Sequence, residues 1–455
     1  MAAPTVSLES DGASGLVLVD RWCYIANLVN ATTAEGTTST GLRIQVTFRA
    51  ARPPAIFPKI IAADADLVLL GVPVYPYTIG YARDWDYFVY SLRARRLDLV
   101  PNPNPKCFNN SATVLLSREG GAWYVVAALS VKYPVYNGRR VLIGWDFDLH
   151  LYKSSNSSEG SGVDLQERMY HDTDKTIAIG GEGGRVAWVD LWRGIFFCDV
   201  LSECPVLRDV PLPVPARGNW NRLLLELDPY NFRDVTISRN RGSIKYIETE
   251  SWSPSKLNAA PASYTEWVRS KSGKLRVFPD GWKATTWTMT IPVDFDSQPL
   301  DNCWHGHSGI GVKDVTLDAS NACPSDLWDM LKRCSRTTQM LNPILSMDDD
   351  TVYLLSTIKQ SHGEGSASEF EVVLAVDVSK GLVRGLAELD VQRSFILTDN
   401  IFGSDICRYL SYILFDAGTV EPSKRTAGQQ NMGHGIKPTK QEQGEPSEVH
   451  VKNYS

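Results

Sequence analysis

Three short apolar runs in the middle of the chain constrain its fold more than any other feature. They are Val186–Val189, Ile195–Cys198 and Val206–Val210, and polar or glycine-containing stretches separate them. Runs of this length that are rich in β-branched and aromatic side chains are typical of strands, since core helices need longer patterns. The last run stops at Pro211, which cannot donate a hydrogen bond within a sheet. The three runs therefore predict three consecutive antiparallel strands.

Similar strand-like runs recur from near Leu16 to about Phe415, and a long helical pattern is missing. The best helical pattern is short and spans Ser325–Cys334, with Leu327 and Leu331 on one face. Many short strands with frequent turn signals favour an all-β fold with few short helices.

A repeated phrase of strand, polar loop, strand and proline favours a β-propeller among the all-β folds. It occurs over Tyr87–Val100 before Pro101 and again over Ile195–Val210 before Pro211. A blade takes roughly 40–50 residues, so about 400 ordered residues are enough for six to eight blades. We expect a β-propeller-like fold of six to seven irregular blades, with another hairpin-rich sandwich or barrel as the alternative.

The domain organisation follows from composition. We expect a flexible N-terminus at residues 1–14, a single β-propeller-like domain at 15–417 and a disordered tail at 418–455. The tail consists mainly of Gly, Gln, Lys, Glu, Pro and Ser. Such a segment cannot bury enough apolar surface to offset the entropy lost on ordering.

Charge and composition exclude several classes of protein. The formal net charge of −6 argues against nucleic-acid binding, which needs a basic surface. No basic and apolar leader opens the chain, and no apolar run approaches the roughly 18 residues of a membrane span. Eight cysteines without C-x-x-C spacing are interpreted as buried thiols of a reducing compartment. We therefore expect a cytoplasmic or nuclear protein that is not secreted, does not bind membranes and gives no sign of oligomerisation.

Three stretches carry residue types that are used in chemistry. Cys303–His307 offers zinc ligands, but a structural zinc site takes four. Gly180–Gly184 precedes a strand rather than the helix that a phosphate loop opens. Asp348–Asp350 precedes a strand and predicts a solvated turn. No common hydrolase or kinase motif is present. We predict no catalytic, cofactor-binding or metal-binding residue, which leans away from an enzyme without excluding one.

The turn between the first two strands offers the one candidate surface. We expect Trp188 to be buried, Arg193 to bond carbonyls or Asp190, and Gly194 to permit a positive φ at the turn. The functional alternative places Trp192 and Arg193 at an exposed hairpin tip. These residue types are frequent in interface hot spots, so the two residues form a possible partner surface.

The stretch Trp188–Ile195 resembles the signature of a plant family expanded in grasses, the domain-of-unknown-function 1618 family. Leu18–Trp22, His171–Lys175 and Phe278–Trp282 are similar to further landmarks of that family. The resemblance implies that the named domain covers about residues 188–341. It implies no biochemical activity, because none is established for the family.

Two functional hypotheses follow. The first is a non-catalytic β-propeller-like interaction module that uses loops on one rim to hold an unidentified protein partner. The alternative is a hydrolase-type enzyme with a distributed site in the propeller channel. Carboxylates or histidines within hydrogen-bond distance of each other in the channel favour the enzyme. Exposed aromatic and arginine side chains at its mouth favour the interaction module.

Overall fold

The structure is a computed structural model, and the residues that it describes fall in many segments. They are 17–20, 29, 32–39, 41, 43–47, 59–74, 85–103, 108–139, 142–155, 162–168, 170–225, 227–252, 263–269, 281–293, 303–307, 309–311, 314–317, 328–329, 340–362, 366–389 and 401–404. The predicted N-terminal segment 1–14 and tail 418–455 lie outside these residues. So does most of the predicted helix Ser325–Cys334, of which Trp328 and Asp329 are helical.

Most of the described strands belong to five sheets of four or five strands each. Sheet 1 contains β4 (Lys59–Asp64), β5 (Leu67–Pro73), β6 (Trp85–Ser91) and β7 (Arg96–Val100). Sheet 2 contains β8 (Thr113–Arg118), β9 (Trp123–Tyr136), β10 (Leu142–Lys153) and β11 (Gly162–Arg168). Sheet 3 contains β12 (Lys175–Gly180), β13 (Arg185–Asp190), β14 (Gly194–Asp199) and β15 (Arg208–Pro211). Sheet 4 contains β16 (Arg233–Ile237), β17 (Ser243–Trp252), β18 (Gly281–Thr290), β19 (His305–Gly306) and β20 (Ile310–Gly311). Sheet 5 contains β21 (Thr316–Leu317), β22 (Met340–Leu345), β23 (Thr351–His362), β24 (Ser366–Asp377) and β25 (Leu382–Leu389).

Four further strands form two antiparallel pairs. The strand β1 (Val17–Asp20) pairs with β26 (Ile401–Ser404), so the two ends of the described chain meet. The strand β2 (Ala34–Thr37) pairs with β3 (Arg43–Val46). The helices in the described residues are short: α1 (Trp220–Leu224) and α2 (Tyr264–Arg269), with 3₁₀ turns at Asn110–Ala112, Glu119–Gly121, Arg217–Asn219 and Pro229–Asn231. None of the helices described is long and apolar enough to cross a membrane.

The first strands of the sheets surround a common axis. In sheets 1 to 4 the strands follow chain order from one edge, and β22 occupies the corresponding edge of sheet 5. At the ends of two first strands, Arg241, just after β16, donates to Asp64, the last residue of β4. At the beginnings of two others, the Thr176 hydroxyl of β12 donates to the Thr113 carbonyl of β8. These first strands therefore run in one direction, and the five sheets form a β-propeller-like ring.

Consecutive sheets pack face to face, which explains the unbroken apolar runs of the sequence. Val186 and Trp188 of β13 pack into the core shared with sheet 2. Ala187 and Val189 of the same strand pack into the core shared with sheet 4. Because successive side chains of a strand point to opposite faces, a strand that is buried on both faces must be apolar at nearly every position. The predicted antiparallel strands of this region are confirmed.

The predicted count of six to seven blades is wrong for the described residues, which form five sheets in the ring. The estimate divided chain length by an ordinary blade. Here β9 has 14 residues and β10, β23 and β24 have 12 each, so single sheets use more chain than expected. The hairpin β2–β3 also uses chain that is not part of the five sheets, since Ala34 and Ile44 pack against the face of sheet 1 that points away from sheet 2.

Candidate functional site

The two ends of the ring differ in their connections. The turns that follow the first strands are short, at 65–66, 119–122, 181–184, 238–242 and 346–350. We call this end the turn face. The connections that lead into the first strands are longer, between β7 and β8, between β11 and β12 and between β15 and β16, and the turns from β9 to β10 and from β13 to β14 lie at the same end. We call this end the loop face.

Charge pairs close the turn face. The buried Asp64 carboxylate accepts from Arg241 of sheet 4 and from the Ser117 amide of sheet 2, at 2.7 Å for the amide. Burial raises the pKa of Asp64, and the guanidinium of Arg241 opposes this shift. The Arg118 guanidinium donates to the Gly181 carbonyl and so links sheets 2 and 3. The turn face is thus crosslinked from sheet to sheet.

The channel between the first strands contains a cavity of about 100 Å³. Its charged lining includes Asp64 and Arg241 at the turn face and Asp174 and Lys175 toward the loop face. The Lys175 ammonium lies 2.8 Å from the Asp234 carboxylate of sheet 4. These contacts are ion pairs between opposite charges. The cavity is well below the roughly 300–1,000 Å³ of typical small-molecule sites.

Asp174 is an acid of the channel with a strongly raised pKa. Burial raises its pKa to about 7, with smaller contributions in the same direction from Asp190 and Asp172. Its carboxyl accepts a 2.8 Å hydrogen bond from the Leu191 amide. Three residues earlier, burial lowers the pKa of His171 to about 4. The His171 ring stacks on Phe196 at 4.1 Å, so this imidazole is a neutral core side chain near neutral pH.

Asp190 organises the signature turn. It is buried, and one carboxylate oxygen accepts from the amides of Trp192 and Arg193 at 2.9 and 3.0 Å. The other oxygen accepts from the Asp172 amide at 2.9 Å and from the Arg193 guanidinium at 3.0 Å. The predicted bond between Arg193 and Asp190 is therefore present. One carboxylate holds the turn 191–193 and the segment 170–174 together.

The two signature tryptophans join sheet 3 to its neighbours. The fully buried Trp188 indole donates to the Ala112 carbonyl at 2.8 Å, beside the start of sheet 2. Trp192 is only 8 % exposed and donates to the Leu227 carbonyl at 2.8 Å. The buried guanidinium of Arg233, in sheet 4, lies 4.6 Å from the Trp192 ring centroid. Trp192 is therefore a packing residue, whereas the Arg193 side chain is 40 % exposed.

Gly194 does not have the predicted positive φ. A Cβ at this position would lie 2.7 Å from the Val210 carbonyl oxygen of the neighbouring strand β15. The residue is glycine because two strands approach closely there, and not because the turn needs a left-handed backbone.

An aromatic and cationic stack crosses the loop face beside this turn. The Tyr170 ring contacts Trp145 of sheet 2, with ring centroids 5.2 Å apart. The Arg193 guanidinium lies 5.1 Å from the Tyr170 ring centroid. Tyr170 is 39 % exposed, so the stack Trp145–Tyr170–Arg193 joins sheets 2 and 3 at the surface.

A β-ribbon projects from the loop face next to the stack. The strand β9 continues to Tyr136, but β8 pairs with it only as far as Ala128. We call residues 129–145 the arm. Val131, Tyr133, Tyr136 and Leu142 of the arm are exposed, Tyr133 by 67 % and Tyr136 by 57 %. Large apolar side chains that are this exposed mark interaction surfaces when they cluster.

The other predicted candidates occupy structural positions. Cys303 contacts the Met289 sulfur at 3.3 Å, and the nearby His305 and His307 are exposed. No cluster of three potential metal ligands occurs among the described residues. Gly180–Gly184 forms the turn between β12 and β13. Asp348–Asp350 forms the turn between β22 and β23, and it is more than a solvated turn because these aspartates pair with Arg239, Arg384 and Lys245.

A family model described as "Protein of unknown function (DUF1618)" matches residues 188–353. The match covers 166 of the 455 residues, and residues 188–353 are thus similar to this family. The resemblance seen in the sequence is thereby confirmed, and the match begins at Trp188 and extends twelve residues past the expected boundary at 341. The matched region contains the signature turn, all of sheet 4 and the start of sheet 5. It does not contain the arm or Tyr170.

No curated protein matches the chain in sequence. Among solved structures, it is similar to the WD40 domain of SCAP from fission yeast, with 10 % identity over 85 % of this chain and 88 % of that one, at a TM-score of 0.28. It is similar to the Cps50 (Swd1) beta-propeller domain of Myceliophteria thermophila, with 9 % identity over 74 % and 91 % and a TM-score of 0.27. It is also similar to the GH43 protein BlXynB from Bacillus licheniformis, with 10 % identity over 73 % and 57 % and a TM-score of 0.26. Scores this low carry no argument about function, and the fold rests on the sheet topology above.

Sequence reasoning missed the arm. The runs Trp123–Ala128 and Val141–Tyr152 are typical of strands, but Pro134 argues against a strand over the residues that follow the first run. The signal that could have found it is Asn137-Gly138, a common turn of β-hairpins, between two runs rich in Val and Tyr.

Proposed function

We propose that the protein is a non-catalytic β-propeller-like interaction module that holds a protein partner on its loop face. The observation that carries this proposal is the exposed stack of Trp145, Tyr170 and Arg193. Tryptophan, tyrosine and arginine are the residue types most enriched in interface hot spots. Long connections on a rigid ring are also where binding residues are concentrated in proteins.

The channel supports the same proposal. A cavity of about 100 Å³ holds a few water molecules, and its ion pairs satisfy charges between sheets. Asp174 is the observation in favour of the alternative, a hydrolase-type enzyme, because an acid with a pKa of about 7 can transfer protons near neutral pH. The small volume around it favours the interaction module.

The test is affinity purification of the tagged chain from a lysate of its source organism, followed by mass spectrometry. The variant Tyr170→Ala/Arg193→Ala removes two members of the stack and leaves the buried Trp192 in place. Glu182→Ala is the matched control, because Glu182 is exposed on the turn face. We expect a reproducible partner with the wild type and the control, and its loss with the double variant.

The wild type, the double variant and the control must have the same melting temperature, because a partner lost through unfolding says nothing about the stack. A partner that the folded double variant retains contradicts the assignment to the stack. Turnover in a hydrolase substrate screen that Asp174→Asn abolishes would overturn the proposal in favour of the enzyme.

A further inference from the structure

The arm differs in charge from the rest of the chain. Residues 129–145 contain Lys132, Arg139 and Arg140 and no aspartate or glutamate. The whole chain has a formal net charge of −6. Arg139 is exposed at the tip, and Lys132 lies 3.1 Å from Asp148 near the base of the arm. The ribbon therefore carries an exposed positive charge at its tip, Arg139, in a chain that is acidic as a whole.

The register of the arm assembles an apolar face. Directly paired residues of antiparallel strands share a face, and the pairs here are Tyr136 with Leu142 and Pro134 with Trp145. An irregularity in the register between Leu142 and Gly144 separates the two pairs and sets this arrangement. Tyr136 and Leu142 consequently lie on the same side of the ribbon as Trp145.

That side points toward sheet 3. Trp145 packs against the core between sheets 2 and 3, and its ring contacts Tyr170. The face of the arm is therefore continuous with the stack that ends at Arg193.

We propose that the arm binds an acidic segment of a partner protein, in which carboxylates flank apolar anchor residues. This inference rests on the proposed interaction function and names the chemistry of the partner. Tyr136 and Leu142 offer apolar and aromatic contact area, and the basic tip attracts carboxylates and repels basic competitors. The steering by charge weakens at high salt, because exposed charges are screened.

A single-stranded nucleic acid also combines negative charge with stacking surfaces. The arm favours a protein segment, because Val131 and Leu142 are exposed aliphatic side chains that do not stack on bases. The net negative charge of the rest of the chain disfavours a polyanionic backbone near it.

The experiment is a selection of random 12-residue peptides, displayed on phage, against the full chain. Two variants alter the arm: Tyr136→Ala/Leu142→Ala removes apolar contacts, and Arg139→Glu/Arg140→Glu reverses the charge. Leu99→Ala is the matched control, because Leu99 is 41 % exposed on β7 against 47 % for Leu142. Circular dichroism and thermal unfolding establish that each variant is folded.

We expect enriched peptides with net negative charge and at least one aliphatic or aromatic residue. Synthetic copies should bind the wild type and Leu99→Ala equally, and both arm variants at least tenfold more weakly. The inference would be overturned if the enriched peptides were neutral or basic, or if no peptide were enriched. It would also be overturned if the peptides bound the arm variants as tightly as the wild type. Tighter binding of a 20-nucleotide oligo(dT) than of any selected peptide would also overturn it.

Failure of this inference differs from failure of the proposed function. A natural partner that Tyr170→Ala/Arg193→Ala abolishes and the arm variants retain leaves the interaction module standing without an acidic site on the arm. A partner that none of these variants affects removes both.

Discussion

The turn face and the loop face are built from the same strands but with opposite chemistry. At the turn face, acids at the short turns pair with bases of other sheets, as Asp64 does with Arg241 and Asp348 with Arg239. At the loop face, longer connections carry exposed tyrosines and a projecting ribbon. Polar side chains at the turn face link one sheet to another, whereas the loop face presents large side chains to solvent.

This difference assigns separate roles to the two ends. Partly buried ion pairs between sheets resist their separation, since loss of one partner leaves a charge without its counterion. Exposed aromatic side chains contribute little to folding, because they remain in water in the folded state. Stability and binding should therefore respond to substitutions at different ends.

The largest effect is expected at Trp188, which belongs to the ring that both faces share. Trp188→Ala removes a fully buried indole and its bond to the Ala112 carbonyl, and should lower the free energy of unfolding by about 4 kcal/mol. Chemical denaturation of the variant and the wild type measures this loss of unfolding free energy. Because both faces depend on this core, partner binding should fall with stability. A loss below about 1 kcal/mol would contradict the role of Trp188 as a clamp between sheets 2 and 3.

The next effect concerns pH and the loop-face end of the channel. His171 has a folded pKa of about 4, below its ordinary value of 6.5, so its contribution to stability is lost as pH falls from 6.5 to 4. Asp174 has a folded pKa of about 7, above its ordinary value of 3.8, so its contribution falls as pH rises over that interval. The two slopes oppose each other in the wild type between pH 4 and 6.5.

Asp174→Asn removes one of these slopes. The free energy of unfolding of the variant should rise from pH 4 to pH 6.5 by about 3 kcal/mol relative to the wild type, at about 1.4 kcal/mol per pH unit. Urea denaturation at half-unit pH intervals tests this. Parallel stability curves for the two proteins would show that Asp174 is not the raised acid.

A smaller effect is expected from the turn face. Asp64→Ala leaves the Arg241 guanidinium without this carboxylate and the Ser117 amide without its acceptor, which should cost about 2 kcal/mol. Arg241 is partly exposed, so solvent compensates for some of the loss. Partner binding should be unchanged once stability is matched by lowering the temperature. Weakened binding under those conditions would break the separation of the two faces.

The smallest effect on stability is expected from the loop face. Tyr136→Ala should change the free energy of unfolding by less than about 0.5 kcal/mol, because the side chain is 57 % exposed. Its effect should lie in binding, measured by titration with the selected peptides. A stability loss as large as that of Asp64→Ala would mean that the arm is part of the scaffold.

Much of the scaffold could be predicted from the sequence. The apolar runs Val186–Val189 and Ile195–Cys198 gave the strands of sheet 3, because burial on both faces requires an apolar residue at almost every position. The bond between Arg193 and Asp190 could also be predicted, since it spans three residues across a tight turn. The number of blades could not, because strand lengths such as the 14 residues of β9 do not follow from a standard repeat.

The candidate site was only partly predictable. Trp192 and Arg193 are adjacent in sequence, and only the structure separates them, since Arg233 and Leu227 from beyond sheet 3 enclose the indole. Tyr136 and Trp145 of the arm carried no signal as a pair, because their shared face depends on an irregularity in the strand register between Leu142 and Gly144. The sequence by itself determined which residues form strands and that these strands are buried on both faces, since local patterning encodes both properties. Only the tertiary structure decided which distant charges pair across the turn face and which aromatic side chains are exposed at the loop face, because contacts between distant segments such as Asp64 and Arg241 leave no local pattern.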